Sequence, residues 1–169
     1  MTSAPPLFSI VTPVYTVDSV LAQTFDRWEW ILVDDCSPDQ RVAPALAAQA
    51  VRDPRIRVET RTRNGGIVAA SNDGVRLASA PFIALLDHDD LLTPTALAEM
   101  AAAISKHPDD MDYVYSDEDK MLPDGTLAHL FTKADWSPER LRHGMYTCHF
   151  SVLRTDLVRE VGGFRDGYD

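Results

Sequence analysis

Cysteine is scarce: the 169 residues hold two, Cys36 and Cys148, in no CxxC pair and with no histidine beside Cys36. A disulfide framework and a structural zinc site are poor fits to that pattern, and reduced thiols suit a cytoplasmic chain. Long apolar runs are missing too. None approaches the ~20 residues of a membrane span, and Met1 to Pro6 lacks the basic start and apolar stretch of a secretory leader, so a soluble protein is expected. Glycine numbers only 8, which excludes a collagenous or low-complexity chain. Positive charge is short, with 16 Lys and Arg against 26 Asp and Glu and a net charge of −10. Nucleic acid is therefore an unfavourable partner. An acidic chain that binds an anion needs a metal ion or a nest of backbone N–H groups to do it.

What is present is enough for one core. At 45% hydrophobic and 25% charged, the chain has the composition and length of a single globular domain. Apolar runs at 8–14, 28–33, 56–60, 82–86, 111–116 and 148–154 read as strands. Helical spacing fills 41–51, 67–78 and 94–106, with shorter helices from Ser137-Pro138 and from Thr155 to Gly162-Gly163. Thr93-Pro94 and Thr155 read as helix caps, and Pro123-Asp124-Gly125 makes 120–131 a candidate hairpin. Alternating strands and helices predict an α/β three-layer sandwich around a mostly parallel sheet, because parallel strands need crossover connections.

Ligands of such sheets bind at the carboxyl ends of the strands. There the sequence places Asp34-Asp35, Asp87-His88-Asp89-Asp90 and Asp117-Glu118-Asp119, three acidic clusters expected along one edge. The eight acids other than His88 account for −8 of the net −10, so the acidity is concentrated at these strand ends. Asp87 and Asp89 form a DxD, which suits Mg²⁺ or Mn²⁺ shared with a substrate diphosphate; the same residues also suit the cap of the next helix. Asp34 and Asp35 can accept N–H or O–H donors from a base or ribose, or simply shape a turn. Asn64-Gly65-Gly66 is a turn whose N–H groups can approach a phosphate at the start of a helix, with Arg61 and Arg63 adding charge nearby. Of the five histidines, His88 and His149 stand out. Trp136 reads either as core or as a face on which a sugar stacks.

Ser9-Ile-Val-Thr-Pro-Val-Tyr15, Leu21-Ala-Gln-Thr-Phe25, Trp30-Ile-Leu-Val-Asp-Asp-Cys-Ser37, Asn64-Gly65-Gly66, Leu86-Asp-His-Asp-Asp90, Tyr115-Ser-Asp-Glu-Asp-Lys120 and Val161-Gly-Gly-Phe164 together resemble the inverting family-2 glycosyltransferases of the GT-A fold. The Tyr-Ser-Asp-Glu-Asp-Lys and Cys-His-Phe-Ser-Val-Leu-Arg segments are most similar to members that build bacterial surface polysaccharides, rhamnosyltransferases among them. The resemblance implies a single GT-A nucleotide-sugar-binding domain over 1–169. Thr12, Pro13 and Tyr15 would border the base, Asp34 or Asp35 would bind base or ribose, and Asn64, Gly65 and Gly66 would complete the nucleotide pocket. Asp87 and Asp89 would hold Mn²⁺ or Mg²⁺, with Asp89 the direct ligand and His88 on the donor side. Asp117, Glu118, Asp119, Trp136 and His149 would face the acceptor.

The implied reaction is a single displacement at the anomeric carbon, in which a base deprotonates the acceptor hydroxyl and the metal offsets charge on the departing nucleoside diphosphate. The implied partners are a nucleoside-diphosphate sugar and a glycan or lipid-linked acceptor. The implied setting is cytoplasmic, with the full-length protein peripheral to the inner face of the membrane. Two departures stand out. The segment 16–20 is shorter than the ~11 residues of a mean helix, where members carry a full one, and the acidic motif that supplies the catalytic base would lie beyond Asp169. A haloacid-dehalogenase-like phosphatase also uses a DxD, and a receiver-like signalling domain also binds Mg²⁺ through paired acids. Both place those acids after the first strand, whereas Asp87 follows the fourth. A nucleotidyltransferase would need a Gly-rich, Lys-bearing loop near the amino terminus, which the sequence lacks.

Overall fold

The computed structural model describes residues 4–13 and 18–167. In chain order the elements are β1 (Phe8–Thr12), α1 (Asp18–Leu21), β2 (Trp28–Asp34), α2 (Val42–Arg52), β3 (Ile56–Thr60), α3 (Gly66–Leu77), β4 (Phe82–Leu85), α4 (Ala96–Lys106), β5 (Tyr113–Tyr115), β6 (Glu118–Met121), β7 (Leu127–Phe131), α5 (Pro138–His143), β8 (Ser151–Arg154) and α6 (Thr155–Glu160). The main sheet runs β3-β2-β1-β4-β8-β5, and β6 pairs with β7 in a separate hairpin. β1, β2, β3 and β4 are parallel, while β8 runs antiparallel to both of its neighbours.

Both faces of β1, β2 and β4 are covered, which is why their apolar residues fall at successive positions rather than only at alternate ones. Phe8, Ile10, Trp30, Leu32 and Ala84 pack on one face with Leu46 of α2 and Leu97, Met100 and Ile104 of α4. Val11, Ile31, Val33 and Ile83 face the other way, onto Ala70 and Val75 of α3 and Val158 of α6. Three layers result, as the strand-helix alternation predicts.

α3 lies close to β1 because Gly74 has no side chain: a Cβ there would sit 2.3 Å from Cγ1 of Val11. Ser9 and Glu29 form a polar pair buried in the sheet. Ser9 donates to Oε1 of Glu29 at 2.6 Å, the Ser79 N–H donates to the same oxygen at 2.6 Å, and Arg57 lies 3.3 Å from Oε2. Burial pushes the Glu29 carboxyl up, but these donors outweigh it and hold it below its ordinary range.

Several boundaries differ from the sequence reading, each for a local reason. The first strand stops at Thr12, before Pro13, and the last begins at Ser151, so residues 148–150 form a loop rather than the start of a strand. Thr155 does not cap its helix, because its hydroxyl donates to the carbonyl of Ala80 at 2.7 Å. α4 starts at Ala96, and no side chain of the Thr93-Pro94 pair caps it. Instead Gln23, from a distant segment, accepts the Leu97 N–H at 3.0 Å and donates to the Thr93 carbonyl at 2.7 Å. Where a full helix was expected to be missing, residues 18–21 form one helical turn. Tyr15 lies outside the described residues.

Candidate functional site

The carboxyl ends of β1, β2, β3, β4 and β5 share one edge, and the antiparallel β8 brings its amino end to that same edge. The loop 148–150 therefore enters the site from a strand that runs the opposite way.

At the end of β2, Asp34 is buried; its Oδ1 accepts the Ser37 N–H at 2.9 Å. Asp35 holds the neighbouring turn together. It accepts Arg61 at 2.6 Å, the Gly65 N–H at 3.0 Å and the Gly66 N–H at 2.7 Å. Asn64 donates to the Asp35 carbonyl at 3.0 Å. Burial pushes the Asp35 carboxyl up, but Arg61 and the two glycine N–H groups prevail and leave it below the usual range.

Three of the groups named from the sequence have partners inside the fold here. The Gly65 and Gly66 N–H groups serve Asp35 rather than standing open for a phosphate. The Arg61 guanidinium bridges Asp35 and Asp73, the latter at 2.7 Å, so its charge is balanced inside the fold. At the end of β1, Thr12 is fully buried and its hydroxyl accepts the Trp30 indole N–H at 2.9 Å.

Beside this turn lies a cleft of about 220 Å³, bounded by Val11 and Pro13, by Ile67, Val68 and Ser71 on the first turns of α3, by Leu85 to Asp87, and by Phe164 and Arg165. Phe164 is held over it by Asn72, whose side-chain amide donates to the Phe164 carbonyl and accepts the Phe164 N–H, both at 2.9 Å. Gly163 makes that clamp possible. It sits at φ +73°, and a Cβ there would lie 2.3 Å from Oδ1 of Asn72.

At the end of β4 the two acids of the DxD, Asp87 and Asp89, stand apart. The Asp90 N–H bonds back to the Asp87 carbonyl at 3.2 Å, closing a turn that folds Asp90 over Asp87. Asp89 points outward instead, with its side chain 76% exposed and 3.8 Å from Nδ1 of His88. His149 completes the inner group, with Nδ1 2.8 Å from Oδ2 of Asp90 and 3.6 Å from Oδ2 of Asp87. One ligand atom from each of Asp87, Asp90 and His149 lies within 4.8 Å of the others. Burial raises the Asp90 carboxyl above its ordinary value; His149 opposes that, while Asp87, Asp89 and Glu118 reinforce it. The sequence grouped Asp90 with its neighbours without giving it a role, and it set His149 on the acceptor side.

Behind this group is a residue that sequence reasoning missed. The Lys133 side chain is 1% exposed. Its ammonium donates to the carbonyls of Cys148 and of His149, the latter at 2.6 Å, and lies 3.5 Å from that of Thr147. Glu118 Oε2 is 3.0 Å from the ammonium but poorly aligned for a hydrogen bond, so that contact is an ion pair. The Lys133 N–H donates to Asp117 at 2.7 Å. Asp119 is exposed, and half-exposed Trp136 meets Tyr113 edge-on at 5.8 Å.

Residues 14–162 match Glycosyl transferase family 2. The chain belongs to that family. Across 176 residues it is 39% identical to the O-antigen biosynthesis protein RfbC of Myxococcus xanthus, covering 99% of this chain and 14% of that protein. Among solved structures, S. aureus TarS 1–349 in complex with UDP superposes with a TM-score of 0.72 at 22% identity, covering 91% of this family-2 chain and 48% of that TarS chain. The mannosyltransferase PcManGT of Pyrobaculum calidifontis, in complex with GDP-Man and Mn²⁺, gives 0.70 at 15% identity, covering 96% and 48%. These likenesses place the family-2 chain in the GT-A fold. It spans about half the length of these solved chains and much less of RfbC. Among the described residues, no helix is long and apolar enough to cross a membrane.

Proposed function

We propose that the chain is the donor-binding domain of an inverting glycosyltransferase that moves a sugar from a nucleoside diphosphate to a hydroxyl of a glycan or lipid-linked acceptor in bacterial surface polysaccharide synthesis. Family membership and the names of relatives such as RfbC support the reaction class. The observation that carries the site assignment is the position of Asp87, which both lines the 220 Å³ cleft and belongs to the Asp87–Asp90–His149 group.

The donor set fits a divalent ion. Two carboxylates and one imidazole, close together and partly open to solvent, can share an ion with a diphosphate, and the nitrogen donor favours Mn²⁺ over the strictly oxygen-seeking Mg²⁺. Mn²⁺ in the PcManGT complex supports the same choice. Bound there, the ion supplies positive charge against the diphosphate as it departs.

The chain's own residues do the rest. Val11, Ile67, Val68 and Phe164 offer an apolar wall, and Arg165 lies at its rim. Asp35 keeps the Asn64-Gly65-Gly66 turn in shape at the mouth of the nucleotide pocket, and Asp34, Pro13 and Tyr15 fall to the base and ribose. Asp117, Glu118, Asp119 and Trp136 face the acceptor, close to the inner leaflet where a lipid-linked one would be met.

The test is calorimetric titration of the 169-residue chain with UDP-, GDP- and dTDP-sugars, with and without Mn²⁺. One donor class is expected to bind in a Mn²⁺-dependent way, and Asp87→Ala to abolish the dependence. Donor binding indifferent to both Mn²⁺ and Asp87→Ala would sink the reading.

A further inference from the structure

The buried ammonium of Lys133 faces the carbonyl oxygens of three consecutive residues, Thr147, Cys148 and His149. Three neighbouring peptides seldom turn their carbonyls to one point. An ammonium with three protons and no acceptor capacity is the side chain that can hold them there. The same segment has His149 at φ +44°, a left-handed backbone region that few residues other than glycine adopt. Held so, the His149 imidazole points at Asp90 and Asp87.

The ammonium also has an anchor. Glu118 lies 3.0 Å away and Asp117 accepts the Lys133 N–H, so the cation is fixed by the start of β6 while it fixes the loop before β8. Lys133 touches none of the three ligand atoms and cannot itself bind a cation; it can act only through the loop.

We propose that Lys133 is the positioning residue that holds His149 in the metal-binding set. This rests on the Mn²⁺ reading above. Without the ammonium, three carbonyls and a half-buried carboxylate lose their common partner, and the loop relaxes from the conformation that aims His149. Residues that orient metal ligands from behind are typically worth about 10–100-fold in metal affinity.

The experiment is Mn²⁺ titration, followed by calorimetry and by the Mn²⁺ paramagnetic resonance signal, on the wild-type chain, His149→Ala, Lys133→Met and the double variant. Thermal unfolding of each confirms the fold, and Lys133→Gln, which keeps a polar donor at this position, replaces Lys133→Met if the latter does not fold. Lys133→Met is expected to weaken Mn²⁺ about 10-fold or more, and the double variant to bind no more weakly than His149→Ala, because both lesions remove the same ligand. Mn²⁺ affinity within about twofold of wild type in a folded Lys133 variant overturns the proposal, as does full additivity with His149→Ala. Failure of His149→Ala and Asp87→Ala to weaken Mn²⁺, or no Mn²⁺ binding by wild type, overturns the metal reading itself, and the proposal with it.

Discussion

Gly74→Ala tests whether the cleft is built on a backbone contact. A Cβ at Gly74 would meet Val11 Cγ1 at 2.3 Å and two further Val11 carbons at 3.3 Å. Val11 sits in the middle of the sheet at 1% exposure, between β2 and β4, and its β-branched side chain has little rotamer freedom. The neighbour therefore cannot give way, and α3 must lift or β1 must shift. Overpacking of this kind costs about 1–3 kcal/mol, and the closeness of the contact argues for the upper half of that range. Against it, alanine gains about 1 kcal/mol over glycine inside a helix. The net expectation is a loss of about 1–2 kcal/mol, or roughly 2–8 °C in Tm for a domain of this size. Thermal and urea unfolding read it directly. Pairing the change with Val11→Ala adds a control: the double variant should be more stable than the sum of the single losses by about 1 kcal/mol or more, because the clash is gone. A Tm at or above wild type for Gly74→Ala would refute the reasoning, since it would mean that α3 moves off β1 at no cost.

Three further expectations follow from the site and its surroundings. Asp90→Asn should weaken Mn²⁺ about 10-fold or more while Asp89→Ala changes it less than threefold, as read by calorimetry; the reverse order would restore the plain DxD assignment. Glu29 is held below its ordinary carboxyl range, so its contribution to stability is present above pH about 4.5, its ordinary value, and is lost as pH falls through the lowered value. Urea midpoints between about pH 3 and 6 should show that acid-side loss in the wild type and a shallower one in Glu29→Gln, and equal slopes would contradict the assignment. Burial and the neighbouring Tyr146 push the Tyr115 phenol up to about 12, so an ultraviolet titration should contain one late-ionising tyrosine that disappears in Tyr115→Phe.

The parallel half of the fold was legible because β2 and β4 carry near-continuous apolar runs that lead into carboxylates, and these announce both the sheet and its carboxyl edge. What could not be read was tertiary. A DxD pattern ranks Asp87 and Asp89 together by spacing, whereas the backbone bond from Asp90 to Asp87 brings the fourth residue inward and turns the third out. The rule that sites lie at strand carboxyl ends is a rule for parallel strands, and His149 precedes a strand that runs the other way. Lys133 is one lysine in a stretch of mixed polarity, and nothing local distinguishes a buried ammonium from a solvated one. Gln23 caps α4 from 74 residues away, a pairing that no window along the chain contains.

The placement of β8 also sets an order of assembly. β3, β2, β1 and β4 can pair as soon as residue 85 is available, but β5 has β8 as its single partner in the sheet and waits for it. During synthesis from the amino terminus, about 65 residues after β4 must leave the ribosome before the sheet gains its last two strands, on the order of 3–13 s at ordinary elongation rates of ~5–20 residues per second. Through that interval the β4 edge is open and the His149 loop is absent. The nascent chain thus acquires its cleft floor first and the Asp87–Asp90–His149 group last, and slow or faulty insertion of β8 would leave a folded parallel half with Asp87 and Asp90 but without His149 beside them.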